Sequence, residues 1–191
     1  MNKIALVVGH NKLSKGAVGD KGISEYDFNT LLVNDIIKIL EPTPIKDYVK
    51  IFFRPNKHIS YTHLMSELHN EIDNWGADIA LSFHFNASSN KNIDGHEVLY
   101  SKYQPKAKRL ATMLNDEFNT LLNNVDRGVK AVGSNGRGNS FLRKGKSLNI
   151  LAEPFFASHQ SMYITEEQEY QNLMGAYLAF ILKAIFKEDI I

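Results

Sequence analysis

Four side chains hold most of this sequence's capacity for chemistry: His10, Glu25, His84 and Glu153. Each falls where an apolar run gives out. His10 follows the run "IALVV". Glu25 ends the glycine-bearing loop that leaves the same run, in the first turn of the next amphipathic segment. His84 lies near the end of "IALSFHF", and Glu153 near the end of "LNILAE". In an open α/β sheet, ligands bind in the crevice beyond the carboxyl ends of the strands. Two imidazoles and two carboxylates converging on such an edge make the pattern of a hydrolytic zinc site. Three groups hold the metal, one position stays open for water, and the remaining carboxylate handles protons.

Taken singly, these residues have plainer readings. His10 alone could sit in a turn, and Glu25 alone is a carboxylate favoured by a helix N-terminus. A lone His84 in an apolar strand is more often a hydrogen-bonded core residue than a ligand. Glu153 is harder to dismiss, because a carboxylate between "LNILA" and "PFF" is costly to bury unless it is paired or functional. Their shared location raises the metal reading above the others. The chain has no cysteine, which excludes disulfides, thiolate ligands and a Cys nucleophile, so any metal must be held by His and carboxylates. His58, His63 and His69 fall in or near one helical segment without the i,i+4 spacing of a helical metal pair. His96 is expected to precede a strand. His159, after the Glu153 strand, is expected to be exposed and to reach the rim of the site at most.

The elements that must position these groups are legible as apolar runs. Candidate strands are "KIALVV", "VKIFF", "IALSFHF", "HEVLY" and "LNILAEPFF". Candidate helices carry apolar residues three or four apart: Phe28/Leu32/Ile36/Ile39, Tyr61/Leu64/Leu68/Ile72/Trp75, Leu110/Leu114/Phe118/Leu121 and Tyr170/Leu173/Tyr177/Ile181/Ile185. Proline in "LEPTP" closes the first of them. This alternation predicts an α/β fold: a single domain over residues 1–191, with a mainly parallel, twisted mixed sheet and helices on both faces. No internal repeat, low-complexity tract or linker interrupts it.

A net charge of +1 supplies no field to gather nucleic acid or an anionic membrane. The five apolar residues from Ile4 to Val8 are too few for a signal-peptide core, and "GAYLAFILKAIF" is cut by Lys183 and too short to span a bilayer. The expectation is synthesis in the cytoplasm without a signal peptide and no membrane insertion. One stretch stands apart: "RGVKAVGSNGRGNSFLRKGK", Arg127 to Lys146, has six basic residues, five glycines and no acid. It reads either as a solvated mobile loop or as a substrate-facing loop that attracts carboxylates.

In order and spacing the motifs resemble the zinc-dependent N-acetylmuramoyl-L-alanine amidases of the amidase-3 type, over nearly the whole chain. The resemblance rests on Gly9-His10 after a strand, then Gly16, Gly19, Gly22 and Glu25 as "G-x-x-G-x-x-G-x-x-E". The box Ser82-Phe83-His84-Phe85-Asn86-Ala87 follows, then Gly95-His96-Glu97-Val98-Leu99-Tyr100 and the strand "ILAEPFFAS". Two departures from the family pattern are Val7-Val8 before Gly-His and Asn11-Lys12 after it.

By that resemblance His10, Glu25 and His84 hold Zn2+, Glu153 is the catalytic carboxylate, and the glycines let the loop fold back to bring Glu25 to His10. The implied substrate and partner is peptidoglycan, cut between N-acetylmuramic acid and L-alanine at the cell wall or in the periplasm. Some relatives insert an inhibitory helix after the second His, whereas here only Ser88 to Asp94 separate the box from the next strand. The pattern looks most like a phage or prophage endolysin. Two alternatives are a zinc peptidase of carboxypeptidase-like fold, which needs a fixed cation for a terminal carboxylate, and a non-catalytic wall-binding module. The motifs single out no substrate-binding residue.

Overall fold

The computed structural model describes residues 1–19, 21–158 and 162–187; His159 lies outside the described residues. Strands β1 (Ile4–Val8), β2 (Val49–Phe53), β3 (Ile79–Phe83), β4 (His96–Ser101), β5 (Asp126–Val132) and β6 (Leu148–Glu153) form one sheet in the order β2-β1-β3-β6-β4-β5. Between and after them come helices α1 (Glu25–Leu40), α2 (Tyr61–Trp75), α3 (Ala107–Leu121), α4 (Asn139–Leu142), α5 (Met162–Thr165) and α6 (Glu167–Phe186). The pairs β1–β2, β1–β3 and β3–β6 are parallel, and β4 runs antiparallel to β6 while pairing parallel with β5. The fold is the mainly parallel α/β sheet that the alternating pattern predicts.

Alternate residues of each central strand feed opposite faces. Ile4, Leu6, Val8, Leu81, Phe83 and Ile150 pack under α1, α3 and α6. Ala5, Val7, Ala80 and Leu151 pack under α2 and α4. Burial on both sides explains why "IALVV" reads as unbroken apolar sequence. Ser24 and Ser60 cap α1 and α2, each hydroxyl accepting a hydrogen bond from the backbone N–H three residues on. The first of these caps puts Glu25 at the opening position of α1, beside the sheet edge.

The register sets that edge. Val8 lies opposite Phe53 on one side and Phe83 on the other, and Phe83 lies opposite Ala152. Gly9, Arg54, His84 and Glu153 therefore emerge side by side where the four parallel strands end. The other end of β1 is fastened differently: the Asn2 backbone N–H donates to the Ile185 carbonyl at 2.9 Å, and its side-chain amide to the Ala184 carbonyl at 2.8 Å. The start of the chain is thus tied to the last turn of α6.

The basic stretch departs from its expectation. Its first part is strand β5 and not a loop, and a short helix, α4, lies within the remainder. β5 is one of the sheet's two edge strands, half-exposed and carrying Lys130, so it lacks the apolar signature of the inner strands; charge on an edge strand discourages pairing with another chain. His96 opens β4, as the candidate strand "HEVLY" begins, and does not stand before it; it is fully buried, its ring nitrogens 2.6 Å from Asn124 Oδ1 and 3.0 Å from Asn119 Oδ1. Residues 88–94 contain no helix. Among the described residues no helix is long and apolar enough to cross a membrane.

Candidate active site

His10 turns away from β1 in a left-handed backbone conformation, φ 65°, a region that His tolerates better than most side chains. The loop that follows is organised by Asn11. Its side-chain oxygen accepts from the N–H groups of Leu13 and Ser14, and its amide donates to the Pro55 carbonyl at 2.8 Å. Farther along, the Glu25 backbone N–H donates to Ala17 O at 2.9 Å, drawing the start of α1 back against the loop.

This return places the Glu25 carboxylate between two imidazoles. Oε2 lies 3.1 Å from His10 Nε2 and Oε1 lies 2.7 Å from His84 Nδ1. The backbone N–H groups of Phe85 and Ala17 also donate to it, at 3.2 and 3.3 Å. Burial alone would raise the Glu25 pKa, but hydrogen bonds and charge from His10 and His84 outweigh it and hold the carboxyl well below the usual range. The His84 pKa is lowered too, by burial against the pull of Glu25, a shift that for an imidazole favours the neutral ring. An ionised carboxylate and a neutral imidazole are the forms that bind a divalent metal.

The donor set fits such an ion. One ligand atom from each of His10, Glu25 and His84 lies within 4.8 Å of the other two, and His10 Nδ1 is buried without a hydrogen-bond partner. Two glycines keep this space open. A Cβ on Gly9 would stand 2.5 Å from the Phe83 carbonyl oxygen and 2.6 Å from His84 Cε1. One on Gly16, whose φ is +79°, would stand 2.6 Å from Glu25 Oε2 and 2.7 Å from His10 Nε2.

Glu153 lines the same cavity, of about 510 Å³, as the three residues of this cluster. It is 2% exposed. Its Oε1 accepts a hydrogen bond from Arg137, while Oε2 is buried without a partner. Arg137 reaches in from the basic stretch, with its side chain 60% exposed, and its other terminal nitrogen donates to Asn86 Oδ1 at 2.9 Å. The Asn86 amide donates to Glu97 Oε1 at 3.3 Å, and Arg127 Nε donates to Glu97 Oε2 at 3.1 Å. Asn86 and Glu97 thus acquire a place in a polar chain that orients Arg137 over Glu153.

All four residues singled out at the strand ends meet at one cavity. The sequence reading missed Arg54, the Asn86–Glu97 link and the contact that Arg137 of the basic stretch makes with Glu153. Arg54 had an available signal, since it follows the last residue of β2 at the same sheet edge. Arg137 had none, because nothing local separates it from the other basic residues around it. Arg143, on the same stretch, instead places its guanidinium 4.7 Å from the Tyr103 ring centre.

A mainly parallel α/β sheet with a metal-capable cluster and a further carboxylate at its carboxyl edge defines the class of protein. The chain belongs to the N-acetylmuramoyl-L-alanine amidase family, whose model matches residues 4–183. Solved structures share the fold. The N-acetylmuramoyl-L-alanine amidase from Clostridium difficile 630 is 20% identical, with a TM-score of 0.78 and coverage of 98% of each chain. The catalytic domain of CwlV, from Bacillus (Paenibacillus) polymyxa var. colistinus, is 18% identical, with a TM-score of 0.76 and coverage of 96% of this chain and 98% of that one. The catalytic domain of the CD27L endolysin targeting Clostridia difficile is 23% identical, with a TM-score of 0.73 and coverage of 97% of both. No curated protein matches the chain.

Proposed function

We propose that this chain is a zinc-dependent peptidoglycan hydrolase that cleaves the amide joining the lactyl group of N-acetylmuramic acid to L-alanine. In this reading His10, Glu25 and His84 hold the metal and Glu153 is the general base and acid. The observation that carries the proposal is the Glu25 carboxylate set between two imidazoles, on one cavity with a buried second carboxylate. Held by His10, Glu25 and His84, a zinc ion would lower the pKa of a coordinated water to about 7 and polarise a carbonyl oxygen. Glu153 Oε2, buried and unpartnered, is the atom free to take the proton of the attacking water. The same oxygen then returns that proton to the leaving amine of alanine. Arg137 on Oε1 leaves Oε2 as the carboxylate oxygen without a hydrogen-bond partner.

The products decide between this reading and its rivals. Digestion of purified sacculi should expose new alanine amino groups and no new reducing sugar ends. New reducing ends would make the protein a glycosidase. The carboxypeptidase-like alternative gains one point from the structure, since Arg54 is a fixed cation on the cavity wall; release of free C-terminal residues would favour it. Absence of turnover on every substrate would leave the wall-binding module.

The metal assignment makes a further prediction at Gly16. Gly16→Ala forces a Cβ against the facing atoms of Glu25 and His10, in a backbone conformation that L side chains rarely adopt. Zinc affinity, measured by competition with a chelating dye, should fall roughly 10- to 100-fold, the range seen when groups supporting a metal's ligands are disturbed. Unchanged affinity would count against Glu25 as a ligand. The likeness to an endolysin catalytic domain supports a phage or prophage lytic role, with synthesis in the cytoplasm and action at the wall.

A further inference from the structure

Two guanidinium groups border the cavity, and their circumstances differ. Arg137 is engaged by Glu153 and Asn86. Arg54 is held differently: among the described residues the Tyr61 ring centre lies 5.0 Å from its guanidinium carbon, the Glu25 carboxylate acts on it through charge, and its Nε is buried without an acceptor. Stacking on Tyr61 fixes the group in place while leaving its donors open. Burial lowers the Arg54 pKa, yet an arginine stays charged in a protein. A buried charged donor that lacks an acceptor is costly to maintain, and here the cavity is where an acceptor could enter.

The position of Arg54 selects that acceptor. Phe53 pairs with Val8, so Arg54 stands beside Gly9 and one residue from His10, on strands about 4.8 Å apart. In a muramoyl peptide the lactyl carboxyl is consumed in the scissile amide, and the sugar's hydroxyl and acetamido groups are neutral. The alanine carboxyl is consumed in the next amide. The first free anion is therefore the α-carboxylate of the γ-linked D-glutamate that follows. Two residues span at most about 7 Å, which brings this group to the neighbouring strand.

Resting on the amidase reading above, we propose that Arg54 and Tyr61 form a carboxylate subsite that seats this α-carboxylate and places the stem peptide on the β2 side of the cavity. A guanidinium binds a carboxylate through two parallel hydrogen bonds. Amidation of the same group, as in walls carrying D-isoglutamine, removes the charge and one acceptor, so the subsite discriminates between the two wall chemistries.

The test uses the zinc-loaded full chain and two synthetic muramoyl tripeptides that differ only in α-carboxylate against α-carboxamide. The wild type should favour the carboxylate by at least about tenfold in kcat/KM. Arg54→Met should bring the ratio of the two kcat/KM values to near unity, and Arg54→Lys should retain an intermediate preference. A wild-type ratio under roughly threefold, or a full preference retained by Arg54→Met, overturns the subsite. Should circular dichroism show that Arg54→Met does not fold, the wild-type ratio and the Lys variant decide. If neither tripeptide is cut at the lactyl amide, the amidase reading itself has failed and the subsite falls with it; cleavage without preference removes the subsite alone.

Discussion

Glu153→Gln should leave zinc content near one per chain and lower turnover by a factor on the order of 10² or more. The substitution keeps the shape of the side chain and an oxygen able to accept from Arg137, so the polar chain through Asn86 and Glu97 has no reason to collapse. What it removes is the basic oxygen to which the proposed mechanism assigns the proton transfer. Glu153 lies on β6, whereas the three proposed ligands come from the ends of β1 and β3 and the start of α1. Metal retention and catalytic loss should therefore separate cleanly. Loss of zinc from this variant would make Glu153 a ligand and overturn the division of roles; retention of both zinc and rate would place the proton transfer elsewhere.

His84→Ala should behave differently, with metal and activity disappearing together. His84 supplies one of two imidazoles on Glu25, and its ring fills the space directly beside Gly9. Without it only one imidazole and one carboxylate would be left to hold an ion, too few for a site of three protein groups. The electrostatic stabilisation assigned to the metal is worth several kcal/mol, so the rate should fall by a factor on the order of 10³ or more. Zinc stoichiometry by elemental analysis, measured beside the rate, is the informative pair. A His84→Ala protein that still holds zinc at full stoichiometry would show that the ion sits elsewhere. Exhaustive chelation of the wild type should mimic this variant and be reversed by added zinc.

The sheet was legible in the sequence because its inner strands are buried on both faces and therefore read as apolar runs. The four strand-end residues were legible for a related reason. Polar groups placed immediately after such runs have only the sheet edge to occupy, and strand order brings those edges together. β5 was missed because an exposed edge strand has no buried stripe to betray it: Arg127, Gly128 and Lys130 look like loop. The contact between Arg137 and Glu153 was missed for a different reason. It depends on residues 133–138 travelling back toward the carboxyl end of β6 after β5 has run the other way, a path that no local pattern encodes. The left-handed turn at His10 was likewise hidden, since composition does not announce a single strained residue.

The tie between Asn2 and the final turn of α6 has a consequence for engineering. β1 runs from that tie toward His10, so both described ends of the chain gather on the side of the sheet away from the cavity. A targeting module or a surface tether joined at either end would hang behind the catalytic face and leave its mouth turned outward. Fusion order then becomes a free choice, made for expression or avidity without obstructing access to the wall.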